Sequence, residues 1–137
     1  MAIRRVPRNR AGGSMTEGGF RSFIKSGLRR MSTRWKPKYD VKKAARHKEK
    51  LLNNNGRLVF HSHCARCGDI VPETTATVDH RLPIIDPSIG FTDWDDVINR
   101  LFCESDNLQV LCKPCHDNKT KEEKKIDTER RRRERSS

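Results

Sequence analysis

The sequence predicts a small α+β domain preceded by a helical, strongly basic N-terminal extension. Three observations carry that prediction. Apolar residues make up only 33% of the 137-residue chain, against 35% charged, a thin supply for a core in a chain of this length. Two Cys-x-x-Cys pairs, Cys64/Cys67 and Cys112/Cys115, offer a metal staple in place of a larger core. Short strand-like runs and amphipathic helical stripes alternate around those pairs, with no internal repeat.

The charge is divided unevenly. Residues 1–50 carry 16 Lys/Arg against 3 acids, a net of +13, and residues 51–112 carry 4 against 9, a net of −5. Residues 113–137 carry 10 against 6, a net of +4, and the chain as a whole stands at +12. Basic flanks suit a polyanion such as DNA, because Lys and Arg that neutralise phosphates release condensed counterions. An acidic middle suits bound cations. The ordinary alternative is that these charges only keep a small protein in solution.

In chain order, residues 1–14 are basic, interrupted by Gly and Pro, and aperiodic, which predicts a disordered arm. Ser14 and Glu17 have capping-box spacing, and Phe20, Phe23, Ile24, Leu28, Met31 and Trp35 then follow at helical steps. The opposite face presents Arg21, Lys25, Arg29, Arg30 and Arg34 as candidates for DNA contact. Pro37 ends or kinks this helix, and residues 38–50 resume a positive one, so the extension spans 15–52. Asn53 to Gly56 reads as a turn opening a domain over 53–127. Strands are expected at 58–60, 75–79 and 108–111. Thr92 caps a helix whose stripe is Trp94, Val97, Ile98, Leu101 and Phe102. A final helix runs from 113 to about 133, and 128–137 is a basic tail.

The two cysteine pairs lie 44 residues apart. Each sets two thiolates on one side of a tight turn, and together they complete a tetrahedral sulfur site for a structural zinc ion. A redox dithiol is the alternative, but no βαβ pattern surrounds either pair. Arg66 and Lys113 sit within the knuckles and would offset thiolate charge; Cys103 is left over, as a thiol near the apolar stripe. His61 and His63, just before the first pair, read as surface residues. The cysteine usage, with no signal peptide, implies a reducing, cytoplasmic setting, and no apolar run reaches membrane-spanning length.

Between the knuckles stands Val78-Asp79-His80-Arg81-Leu82-Pro83, and around the second knuckle Asn107-Leu108-Gln109-Val110-Leu111-Cys112-Lys113-Pro114-Cys115-His116-Asp117-Asn118-Lys119-Thr120. In order and spacing these motifs resemble the HNH endonuclease family, and more closely its small bacteriophage-type members with two zinc knuckles. The resemblance covers about residues 58–121. It implies a ββα-metal (His-Me finger) core, with His80 as general base, Asp79 and His116 on a catalytic divalent cation, and Asn107 as an orienting residue. Mg²⁺ is the first expectation for that ion, and the His ligand also admits Mn²⁺, Ni²⁺ or Zn²⁺. Lys119 is a further candidate for phosphate contact, and DNA is the implied partner.

The chemistry asks for the same residue types. Phosphodiester hydrolysis needs a nucleophile made from water and positive charge on the oxygens that become anionic, and a neutral imidazole is a suitable base near pH 7. Each residue also has an ordinary alternative: His80 as a hydrogen-bonded core histidine, His116 as a zinc ligand, Asp79 as a capping acid, Asn107 as a turn residue. The resemblance implies a phage-encoded nuclease of low sequence specificity that nicks or cuts DNA. A monomer is expected, with a terminase or other packaging protein as one partner. The alternative is a non-catalytic, zinc-stabilised nucleic-acid-binding protein.

Overall fold

A computed structural model describes residues 5–136, so the first four residues of the expected basic arm lie outside it. The chain divides into two compact units, residues 1–33 and 34–137. In the first, Arg10 pairs with Met15 across a short 3₁₀ turn over Ala11–Gly13. The guanidinium of Arg10 also meets the Glu17 carboxylate at 2.9 Å and lies 4.2 Å over the Phe20 ring. Helix α1 is Glu17–Ser32. Its cap is Thr16, not Ser14: the Thr16 hydroxyl accepts from Gly19 N–H, while Ser14 bonds back to the Ala11 carbonyl. Glu17 is engaged by Arg10, so the reciprocal capping box does not form.

The second unit opens with Trp35 as the N-cap of helix α2, Lys36–Ala45. Pro37 stands in the first turn of this helix, where its missing N–H removes no helical hydrogen bond. Three antiparallel strand pairs follow: β1 Leu51–Leu52 with β2 Leu58–Val59, β3 His61–His63 with β4 Ile70–Pro72, and β5 Thr77–His80 with β6 Leu108–Leu111. The 53–56 turn is the tip of the first pair, with the Asn53 side chain accepting from the N–H groups of Asn55 and Arg57. It therefore lies inside the second unit. The second pair carries the first knuckle, and the third frames the centre of the domain with Asp79 opposite Gln109 and His80 opposite Leu108.

Helix α3, Trp94–Leu101, lies between β5 and β6 in sequence. Asp93 caps it, one residue later than expected, by accepting from Asp96 N–H at 2.7 Å. Its expected stripe places Val97 and Leu101 in the interior. Phe102 meets the Trp35 ring edge-on at 5.5 Å, and the Trp35 indole N–H donates to the Cys103 carbonyl. These contacts join the start of α2 to the end of α3. Helix α2 also packs against β3, β5 and β6.

Helix α4, Lys113–Ser136, completes a ββα unit with β5 and β6. It is the α+β architecture expected of the sequence. The fully buried core is small: Val97, Leu101, Leu108, Val110 and Leu111, with Cys64 and Cys112 beside them. Among the described residues no helix is long and apolar enough to cross a membrane.

Far along α4, Arg130 Nε–H donates to the Pro87 carbonyl at 3.1 Å and so fastens the 83–91 loop. Gly90 makes the close approach workable, at φ +87° with the space for a Cβ only 2.8 Å from the Arg130 guanidinium. Gly90→Ala is therefore expected to lower stability by about 1–3 kcal/mol, read as a lower urea midpoint at unchanged slope. An unchanged midpoint would show that neither the left-handed backbone at Gly90 nor its contact with Arg130 constrains this loop.

Candidate active site

The first knuckle forms at the tip of the β3–β4 hairpin. Cys64 N–H donates to the Asp69 carbonyl, Gly68 N–H to the Cys64 carbonyl, and Gly68 takes φ +78° to close the turn. Ala65 N–H donates to the Val110 carbonyl at 2.8 Å, which ties this knuckle to β6 two residues before Cys112. The second knuckle is the passage from β6 into α4. The Sγ atoms of Cys64, Cys67, Cys112 and Cys115 lie within 4.8 Å of one another. Cys67 and Cys112 stand 3.7 Å apart, close to the edge of about 3.8 Å of a tetrahedron with Zn–S bonds of about 2.3 Å. These four cysteines are positioned to form a zinc site. Cys103 is not among them.

The thiols show why a cation belongs there. Burial opposes ionisation of Cys64, but backbone N–H donors from the two knuckles more than offset it and bring the thiol to about 6. Cys115, hydrogen-bonded to Cys112 and partly desolvated, is pushed up to about 12. One thiolate forms readily and the next resists, because hydrogen bonding to the neighbouring sulfurs, above all Cys112, and partial burial hold the Cys115 proton in place. A divalent ion resolves that conflict. Arg66 and Lys113 take acidic partners instead, Glu122 at 3.1 Å and Asp117 at 2.9 Å.

Beside this cluster the ββα unit carries the four residues expected at an active site, and it brings the side chains of Asp79 and His116 face to face. Cys115 and His116 are adjacent in the first turns of α4, and His116 N–H donates to the Cys112 carbonyl at 2.9 Å. His116 Nε2 lies 3.9 Å from Asp79 Oδ1. Asp79 is turned toward the helix and held by Gln109 Nε2, which donates to Oδ2 at 3.2 Å. Asn107 binds the chain just after His80: its carbonyl accepts from Arg81 N–H at 2.8 Å, and its side-chain oxygen from Leu82 N–H at 3.0 Å. These bonds fix the backbone that leaves β5.

His80 is buried, with 9% exposure, and its Nε2 lies 2.9 Å from the Leu101 carbonyl. A carbonyl can only accept, so Nε2 carries a proton, and in the neutral form of the ring the lone pair is on Nδ1. The Leu101 carbonyl is at the C-terminal end of α3, where helical carbonyls lack intrahelical partners. Helix α3 thereby sets the tautomer of the imidazole.

Lys119 is placed differently from the expectation of a phosphate contact. Its side chain is only 16% exposed and its ammonium lies 3.1 Å from Asp79 Oδ2. It also donates to the His80 carbonyl at 3.0 Å and pairs with Glu123. Burial would lower its pKa, but the bonds to Glu123 and Asp79 outweigh burial and raise it, so the ammonium stays charged. Glu123 carries no motif signal; only its spacing of four from Lys119 hinted at the pair.

Residues 64–122 match the family model for HNH endonucleases. The match runs from Cys64 to Glu122, past Lys119, over less than half of the 137-residue chain. No curated protein and no solved structure matches the chain significantly. The HNH segment takes in both knuckles, the β5–β6 pair, α3 and the start of α4.

The other expected residues fall outside this centre. On α1, Arg21, Arg29 and Arg30 are exposed, as is Arg34 beyond it, whereas Lys25 is half-buried. His61 is not a surface residue: it is 5% exposed and its Nδ1–H donates to the Val59 carbonyl. His63 is exposed and stands 3.0 Å, ring nitrogen to ring nitrogen, from His47.

Proposed function

We propose that this protein is a metal-dependent DNA endonuclease, with His80 as general base, Asp79 and His116 as ligands of a divalent cation, and Asn107 as the residue that orients the His80 segment. The observation that carries the reading is the facing of Asp79 Oδ1 and His116 Nε2 across 3.9 Å within the HNH segment. Two ligands of one ion at bonds of about 2.1 Å stand about 3.0–3.5 Å apart. A closure of about half an ångström would suffice. One carboxylate and one imidazole leave most of the coordination sphere to water and phosphate, which suits Mg²⁺ and admits Mn²⁺, Ni²⁺ or Zn²⁺. When bound, such an ion stabilises the negative charge that builds on the phosphate oxygens.

The chain's own residues supply the rest. His80, which donates from Nε2 to the Leu101 carbonyl, is proposed to take the proton of the attacking water on its other ring nitrogen, Nδ1. The bond to the Leu101 carbonyl stabilises the imidazolium that results. Asn107 keeps the 81–82 backbone from swinging the imidazole away. Basic residues Arg21, Lys25, Arg29, Arg30 and Arg34 are proposed to follow the DNA backbone. They offer charge without base-edge readout, so low sequence specificity is part of the proposal. The resemblance to phage-type members supports a phage-encoded enzyme in the bacterial cytoplasm; a monomeric state and a terminase or other packaging protein as partner are further parts of the proposal.

The burial of His80 favours one rival, a zinc-stabilised nucleic-acid-binding protein without catalysis. Incubation of supercoiled plasmid with the zinc-loaded protein separates the two. Added Mg²⁺ or Mn²⁺ should give relaxed and then linear DNA, and finally a smear, all suppressed by EDTA. Retention of the plasmid without any strand cleavage would establish the rival, and discrete fragments would remove the low specificity.

A further inference from the structure

Lys119 sits three residues after His116 on α4, on the side that faces β5. A lysine ammonium has three N–H donors. Here its three partners are Asp79 Oδ2 at 3.1 Å, the His80 carbonyl at 3.0 Å and the Glu123 carboxylate. Nothing is left over for a phosphate in this arrangement, and the side chain is largely covered. An exposed DNA-binding lysine would instead present its ammonium to solvent.

The placement has a consequence for the cation of the proposed active site. Lys119 takes one oxygen of Asp79, while the other faces His116. It also draws a second carboxylate, Glu123, to the same place. Without a positive charge there, Asp79 and Glu123 would repel each other. With it, they are held together, but any divalent ion arriving at Asp79 meets a fixed ammonium nearby. We propose that Lys119 is a positioning residue that acts as the resident cation of this centre. It keeps Asp79 and Glu123 aligned when no divalent ion is bound, and it limits how tightly such an ion binds. Glu123 is by the same argument a second carboxylate of the site, favouring the ion through its charge. This rests on the reading of Asp79 and His116 as cation ligands.

Titration of the zinc-loaded, full-length protein with Mn²⁺, following free ion by its paramagnetic resonance signal, tests the proposal without reference to cleavage. Lys119→Gln and Lys119→Met should each bind Mn²⁺ at least about tenfold more tightly than wild type. Lys119→Arg keeps the charge and should bind like wild type. Glu123→Gln should bind more weakly. Zinc content, one ion per chain, verifies that each variant is folded. Equal or weaker Mn²⁺ binding by zinc-replete Lys119→Gln and Lys119→Met would overturn the role, as would tightening by Lys119→Arg to the same degree. The cation-site reading has its own controls: Asp79→Asn and His116→Ala should abolish saturable binding. If they bind like wild type, it is that reading, and not the part played by Lys119, that has failed.

Discussion

His80→Ala is expected to lower metal-dependent cleavage of plasmid DNA by about 10²–10⁴-fold, the usual contribution of a positioned general base. The substitution also removes a hydrogen bond, since His80 Nε2–H donates to the Leu101 carbonyl at 2.9 Å. An orphaned buried carbonyl costs about 1–3 kcal/mol, so some loss of stability should accompany the loss of activity. His80→Gln separates the two effects: its amide can donate to Leu101 but cannot serve as a base at neutral pH. Denaturant unfolding should place Gln closer to wild type than Ala, while plasmid assays find both inactive. A Gln variant that cuts as well as wild type would relocate the base to another residue.

The second large effect concerns zinc. The buried side chains of the second unit are few, and Cys64 and Cys112 form a cluster with Leu111. A structural zinc site contributes about 10–16 kcal/mol of apparent folding free energy in small domains, comparable with the whole stability of a typical protein, about 5–15 kcal/mol. Cys112→Ala or chelation of the metal is therefore expected to abolish cooperative thermal unfolding. Elemental analysis should find one zinc per wild-type chain and less in the variant. Cys103→Ala provides the contrast: its role in the fold is through its backbone carbonyl, so zinc content and melting temperature should stay near wild type. A Cys112→Ala protein that still melted cooperatively near the wild-type temperature would mean that packing alone holds the domain.

Much of the architecture could be read from residue patterns because its signals are local. Strand β6 has a buried, β-branched and leucine-rich run, and α3 repeats its apolar residues over two turns. The cysteine spacing says directly which loops must meet. The short strands β1, β3 and β4 were not legible because two or three residues show no periodicity, and their pairing is decided by partners elsewhere in the chain. The caps moved for a related reason. Ser14 and Thr92 have the right chemistry, but Thr16 and Asp93 offer it one or two residues closer to the first helical turn. In the candidate site, motif spacing pointed to Asp79, His80, Asn107 and His116. It was silent on Lys119 lying over Asp79, on Glu123 joining them, and on His80 capping α3, because each depends on the packing of α4 or α3 against the hairpin.

The adjacency of Cys115 and His116 carries a further mechanical consequence. A reacting constellation has to be held within about 0.5 Å of its working geometry. Helix α4 buries no residue completely, so side-chain packing gives it little stiffness of its own. One peptide bond separates Cys115, a member of the four-cysteine cluster, from His116, whose imidazole faces Asp79. With zinc bound by these four thiolates, the alignment of that imidazole would be inherited from metal–sulfur bond lengths, a far more rigid ruler than the contacts of a surface helix.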